Sequence, residues 1–267
     1  MDMFENKVVL VSGSGRGIGA AIALHFARLG ADVVVNYFRN REPAEQTSAS
    51  IRQLGRKALL VKANMGEPAD IDRLFEIIAK EFHGLDFYIH NAASGYNRPV
   101  MQQRLKGWDW TMNINARSLL FAAQHAAPLM EQCGGGVIVT ISSPGAGRVL
   151  PDYVVVGASK AAIEAITRYL AVELAPRNIV VNAVSPGMVL TDALQHFEMV
   201  RTDVHLAEKA THITPAGRLV TPQDIANVVA FLCSPEASMI RGQVIAVDGG
   251  ASLLAPGIEK PPNSLDS

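Results

Sequence analysis

The feature that most constrains this chain is an alternation. Short runs of β-branched and other apolar residues recur, with longer segments of helical periodicity between them. The strand-like runs are Lys7–Ser12, Asp32–Tyr37, Lys57–Val61, Leu85–His90, Gly136–Ser142, Ile179–Ser185 and Gln243–Val247. Most are continuously apolar rather than alternating, which predicts strands covered on both faces. Helical patterns fill the gaps at Gly17–Leu29, Glu42–Leu54, Ala69–Phe82, Ile114–Gln132, Tyr153–Ala175 and Pro222–Cys233. This βα alternation predicts an α/β fold, a doubly wound parallel sheet of about seven strands with helices on both faces.

No repeat or low-complexity block divides the 267 residues. Residues 1–255 are therefore read as a single domain, and 256–267, with three prolines, as a loose tail. Within the domain, 191–214 follows a strand yet is charge-rich and weakly periodic. It is too long for an ordinary βα connection and is expected to be a mobile flap over a ligand, a surface helix pair being the alternative. With 49% hydrophobic residues and 18% charged, a sizeable core is available. A net charge of −1 gives no basic bias toward nucleic acid or an anionic membrane. The N-terminus carries acids and no apolar signal core, and no apolar run is long enough to span a bilayer. Cys133 and Cys233 make neither a disulfide framework nor a metal cluster, and the seven histidines show no ligand spacing. A cytoplasmic protein without a metal is expected.

The first strand runs into Ser12-Gly13-Ser14-Gly15-Arg16-Gly17-Ile18-Gly19 and then a helix. Glycines at 13, 17 and 19 let the backbone turn tightly and approach a pyrophosphate at the positive end of the helix. The strand before and the helix after supply the context that a Rossmann-type dinucleotide loop requires. NAD-preferring sites place an acid after the second strand for the ribose 2′-hydroxyl. Here Asn36-Tyr37-Phe38-Arg39-Asn40-Arg41 stands instead. Arg39 and Arg16 suit a 2′-phosphate, so NADPH is the expected cofactor.

Tyr153 and Lys160 are separated by six residues. Seven positions is close to two helical turns, which puts both on one face. The ammonium is expected to make the phenol more acidic, and the phenol can donate a proton or hold an oxyanion. Tyr37 and Tyr88 lie in or beside strands, and Tyr169 falls on the opposite helix face from Lys160. Tyr96, in the loop after the fourth strand, either lines a substrate pocket or lies on the surface.

These segments, with others downstream, resemble the short-chain dehydrogenase/reductase family over roughly the first 250 residues. Ser12–Gly19 is similar to its Thr-Gly-x3-Gly-x-Gly loop, and His90-Asn91-Ala92-Ala93 stands where the family has Asn-Asn-Ala-Gly. Asn115, Ser143 and Lys160 match its asparagine, serine and lysine. Asn182–Gly187 with Thr191 matches the segment that closes on the nicotinamide, and Asp248-Gly249-Gly250 the last-strand signature. The family usually puts only three residues between tyrosine and lysine; here that position is Val156. Asn91–Gly95, Arg98–Met101, Trp108–Ala116, Thr191–Phe197, Thr214–Arg218 and Met239–Gln243 are similar to FabL-type enoyl-[acyl-carrier-protein] reductases, which carry the longer spacing.

The resemblance implies NADPH-dependent reduction of the 2,3 double bond of an acyl thioester, with a place in fatty-acid biosynthesis, and a homotetramer. It places Gly13, Ser14, Gly15, Arg16, Gly17, Ile18 and Gly19 on the cofactor. Arg39, Asn64, Met65, Asn91, Ala92 and Ala93 join them, with Lys160, Pro186, Gly187 and Thr191. Tyr96 and Met188 are the expected substrate contacts. Tyr153, Lys160, Ser143 and Asn115 are the expected catalytic group. Ser143 either orients substrate or Tyr153 or caps the next segment, and Asn115 is expected to order backbone and water near Lys160.

The offset tyrosine carries chemical meaning. Three residues are roughly 4.5 Å along a helix axis. In ketone reduction the oxygen that needs a proton is one bond from the carbon receiving hydride. In an enoyl thioester hydride reaches C3 while charge appears on the thioester oxygen further along the conjugated chain. A tyrosine set back from the nicotinamide suits the second case. The expected partner is an acyl thioester, on acyl-carrier protein or coenzyme A. Arg98, Arg104, Lys106 and Arg201 are candidates for docking an acidic carrier. A carbonyl or 3-ketoacyl-thioester reductase and a non-catalytic NADP-sensing protein are the rival readings.

Overall fold

The computed structural model describes residues 3–189, 210–211 and 214–254. The apolar runs form seven strands: β1 (Val8–Val11), β2 (Asp32–Tyr37), β3 (Ala58–Lys62), β4 (Phe87–His90), β5 (Gly136–Ile141), β6 (Ile179–Pro186) and β7 (Val244–Val247). They make one sheet in the order β3-β2-β1-β4-β5-β6-β7, with every pairing parallel. The helices α1 (Gly17–Arg28), α2 (Arg41–Gln53), α3 (Pro68–Phe82), α4 (Leu105–Met112), α5 (Ser118–Gln132), α6 (Val154–Glu173) and α7 (Pro222–Leu232) cover it.

The two-residue period of a strand divides its side chains between two cores. Val9, Val11, Val33 and Val35 pack with Ile22, Phe26 and Ile225 on one side of the sheet. Leu10 and Val34 pack with Leu74, Leu119 and Ile163 on the other. This two-sided burial is why the strands read as continuous apolar runs. Met130 lies fully buried in the second core and Met112 packs against it, whereas Met101 is exposed.

From β1 the chain winds outward to β3, then returns across the sheet to β4 and winds the other way. The reversal leaves a crevice between β1 and β4 at the carboxyl ends of the strands, where ligands of open α/β sheets bind. No described helix is long and apolar enough to cross a membrane.

Three expectations need correction. The helix expected from Ile114 begins earlier, at Leu105, and passes from α4 into α5 through a π turn at Asn113–Arg117. An extra residue in that turn breaks the 3.6-residue period from which the helix was read. The helix expected from Tyr153 begins at Val154, and Tyr153 is its N-cap with φ −101° and ψ 8°. Tyr153 therefore stands just outside the helix, so its setback from Val156 is not a regular helical rise. The third is the acidity of the Tyr153 phenol, which burial opposes. Thr191, Arg201, most of the expected flap and the 256–267 tail lie outside the described residues. Thr214, at the flap's end, is buried with its hydroxyl donating to the Ala210 carbonyl at 2.7 Å.

Candidate functional site

A cavity of about 520 Å³ opens at the crevice, within the size range of small-molecule sites. One end is built by the loop after β1. The first turn of α1 has neither a capping side-chain bond nor an acid, so its backbone N–H groups lack those partners. Gly13 lies at φ +65°, and a Cβ on Gly19 would sit 2.4 Å from the Gly13 carbonyl oxygen. The loop can thus draw its backbone close against an anion at the helix start. Gly13, Gly15, Arg16, Gly17, Ile18 and Gly19 line the cavity. Ser14 does not; its buried hydroxyl donates to the Val11 carbonyl at 2.7 Å and accepts from Asn36 N–H.

At the end of β2 the wall is Tyr37, Phe38, Arg39 and Asn40, with no acid. Asn36 is buried, its Oδ1 accepting from Gly13 N–H at 3.0 Å and its amide donating to the Ala63 carbonyl at 3.1 Å. It fastens the glycine loop to the end of β3, where Asn64 and Met65 continue the wall. Arg16 and Arg39 are both exposed on the cavity, and neither makes an ion pair with another described residue. Two unneutralised guanidinium groups beside an uncapped helix start fit a ligand with several phosphates.

The loop after β4 forms the floor. Ser12 Oγ accepts from the backbone N–H groups of Asn91 and Ala92, each at 3.0 Å, and the Asn91 amide donates to the Ser12 and Gly13 carbonyls. Asn91, Ala92 and Ala93 all line the cavity. His90 is buried between the Tyr88 hydroxyl and the Asn115 carbonyl, each 2.8 Å away. Burial pushes its imidazole down to about 4, so it is neutral at ordinary pH.

At the other end stand Tyr153 and Lys160. Lys160 is buried, and its ammonium donates to the Ile141 carbonyl at 2.7 Å, below the end of β5. Burial lowers it to about 8. Tyr153 donates to Ser143 Oγ at 3.3 Å, a long bond for two hydroxyls. Burial raises the phenol above its usual range, and the Ser143 bond only opposes this. The expectation of a more acidic phenol is thus corrected: desolvation dominates, and Tyr153 is a neutral donor. Ser143 serves both expected roles, since its Oγ also accepts from Gly145 N–H at the turn after β5.

Asn115 sits in the π turn, fully buried. Its Oδ1 accepts from Ser94 N–H at 2.8 Å, and its amide donates to the Ser94 carbonyl and to Ser159 Oγ, each at 2.9 Å. It therefore ties the β4 loop to α6 and stays behind the cavity wall. Pro186, Gly187 and Met188 continue from β6 and are not part of the cavity lining. Tyr96 also lies away from it, its ring close under Gly107 of α4 with Arg98 stacked 5.3 Å from the ring centre.

Val156 occupies the position where the resemblance would place a tyrosine. It is buried, and a Cβ on Gly95 would lie 2.3 Å from its Cγ2. The loop after β4 therefore closes over the place where a tyrosine would usually project. Gly95→Ala is expected to destabilise the protein by about 1–3 kcal/mol, with Val156→Ala recovering most of the loss. Thermal unfolding of the single and double variants reads this coupling, and strictly additive effects would count against the contact.

Sequence reading missed Trp110, Ile114 and Ile141, which line the cavity, and Ser94, which reaches it. Ser94, Trp110 and Ile114 fall within segments that carry the resemblance but were assigned no role, and Ile141 gave no signal.

Residues 13–252 match a family model described as Enoyl-(Acyl carrier protein) reductase. The chain is 38% identical over 252 residues to the 1-cyclohexenylcarbonyl-CoA reductase of Streptomyces collinus, covering 94% of this chain and 89% of that protein. It is 37% identical over 258 residues to a hydroxynaphthalene reductase-like protein of Metarhizium brunneum, covering 92% and 94%. A solved 7α-hydroxysteroid dehydrogenase complexed with NADH and 7-oxo glycochenodeoxycholic acid superposes with TM-score 0.86 at 35% identity, covering 92% and 94%. L-sorbose reductase from Gluconobacter frateurii, complexed with NADPH and L-sorbose, gives TM-score 0.89 at 29% identity, covering 96% and 100%.

Proposed function

Because this chain belongs to the short-chain dehydrogenase/reductase family, we propose that it reduces the 2,3 double bond of an enoyl thioester with NADPH. The observation that carries the reading is the position of the phenol. Tyr153 lines the cleft with Lys160, while Val156 is buried under Gly95 and has no proton to give.

When bound, the nicotinamide supplies a hydride, which the reading directs to C3 of the acyl chain. The protein's own task is the charge that then develops on the thioester oxygen. Tyr153, kept neutral by burial, donates a hydrogen bond to that oxygen, and Ser143 steadies the phenol. Lys160 adds positive field from below and holds the ribose hydroxyls. Water or a relay through the Tyr153 hydroxyl protonates C2. Arg16 and Arg39 hold the 2′-phosphate, and Gly13–Gly19 the pyrophosphate.

The Streptomyces collinus relative supports the substrate class, since the compound in its name is itself a conjugated thioester. It also keeps coenzyme A beside acyl-carrier protein as the carrier. A homotetramer belongs to the same proposal, with exposed Leu120 and Phe121 on α5 and Tyr169 and Val172 on α6 as its apolar surface; a monomer in analytical ultracentrifugation would exclude it.

The reading is tested by tracing the label. With NADPH dideuterated at nicotinamide C4, the saturated product of a 2-enoyl thioester carries deuterium at C3. Label at C2, or none in the product, would overturn the assignment.

A further inference from the structure

Trp110 plays no part in the reaction as described, yet it occupies an unusual place. It projects from α4 into the cleft, opposite the turn after β2. Its ring centre lies 5.2 Å from the Arg39 guanidinium carbon and 6.5 Å from the Phe38 ring. Arg39 is also 5.7 Å from Phe38, so two aromatic rings contact one guanidinium within cation–π range. Trp110 is itself anchored: its indole N–H donates to Ser94 Oγ at 2.8 Å. Ser94 is in turn held through both backbone groups by Asn115. The tether thus runs from the buried π turn through Ser94 and Trp110 to an exposed arginine.

A guanidinium that lies on a ring is held by its face, which leaves its N–H edge for a phosphate. An exposed arginine without such support is spread over many rotamers and must be ordered when the ligand arrives. We propose that Trp110 is a specificity-positioning residue that holds Arg39 in place as the reader of the ribose 2′-phosphate. Preference for NADPH over NADH then depends on α4 as well as on the turn after β2. The inference rests on the NADPH reading above, and it names a residue whose loss affects one cofactor and spares the other.

The test is calorimetric binding of NADPH and NADH, and of 2′,5′-ADP and 5′-AMP, to the wild type, Trp110→Leu, Trp110→Phe and Ser94→Ala. The wild type is expected to prefer NADPH and 2′,5′-ADP. Trp110→Leu is expected to lose about tenfold in affinity for these two and to bind NADH and 5′-AMP as before. Trp110→Phe keeps most of the preference, and Ser94→Ala, which leaves the ring but cuts its anchor, loses part of it. Equal weakening of all four ligands, or an unchanged preference in Trp110→Leu and Ser94→Ala, overturns the role of Trp110. A wild type without preference for NADPH fails the underlying reading and removes the proposal with it. If Trp110→Leu does not fold, Ser94→Ala and Trp110→Phe decide the matter.

Discussion

Tyr153→Phe is expected to lower turnover of a 2-enoyl thioester by about 100- to 1,000-fold while NADPH affinity stays at the wild-type level. The substitution removes one hydroxyl and keeps the ring that rests against Gly145, where a Cβ would come within 2.6 Å of it. Ring packing is therefore preserved, while the hydroxyl, with its bond to Ser143 and its proposed role as donor to the thioester oxygen, is lost. Burial holds the phenol above its usual range, so it donates as a neutral group across ordinary pH. Steady-state rates with calorimetric NADPH binding measure both halves. A rate near that of the wild type would remove Tyr153 from the chemistry, and parallel loss of NADPH binding would make it a structural residue.

Lys160→Met is expected to abolish measurable turnover and, at pH 7, to make the protein more stable. The Lys160 ammonium is fully buried, has the Ile141 carbonyl at 2.7 Å, and is lowered to about 8 from 10.5. In the unfolded chain it keeps its proton up to about 10.4. Between those values the unfolded state binds more protons than the folded one, so wild-type stability rises with pH across that window. Below about pH 8 the burial penalty is fully present, on the order of 3 kcal/mol. Methionine removes it but leaves the Ile141 carbonyl without its donor, at a cost of about 1–2 kcal/mol. A net gain of roughly 1–2 kcal/mol at pH 7 should disappear by pH 10. Urea unfolding at the two pH values reads it, and a variant less stable at pH 7 would contradict the assigned penalty. The same titration predicts that kcat/KM of the wild type falls as pH rises through about 8, where Lys160 loses its charge.

The sheet was legible because parallel strands buried on both faces leave continuous apolar runs, as in Ile179–Pro186, every residue of which is buried. The phosphate end was legible for a related reason. The glycines at a strand-to-helix junction and the missing acid after β2 are local features, and each keeps its meaning in isolation. The reactive end was only half legible. Spacing put Tyr153 and Lys160 together, and both line one cavity. Spacing could not reveal desolvation, so the phenol was read as acidic when burial raises it. Nor could it show that Tyr153 caps the helix instead of joining it. The start of α4 escaped notice because Leu105 and Trp108 are exposed and the π turn interrupts the periodicity. The contact of Trp110 with Phe38 and Arg39 was illegible because these lie some 70 positions earlier in the chain. Val156 carried its message by what it lacks, and the structure adds that it packs so closely on Gly95 that a Cβ there would lie 2.3 Å from its Cγ2.

The central claim is that this cleft serves a conjugated C=C bond and not a ketone. It is tested most directly by following NADPH consumption with a 2-enoyl thioester and, separately, with the 3-keto thioester of the same chain length and carrier. The account predicts turnover of the enoyl substrate and none above background with the keto substrate. Turnover of the keto substrate alone would contradict it.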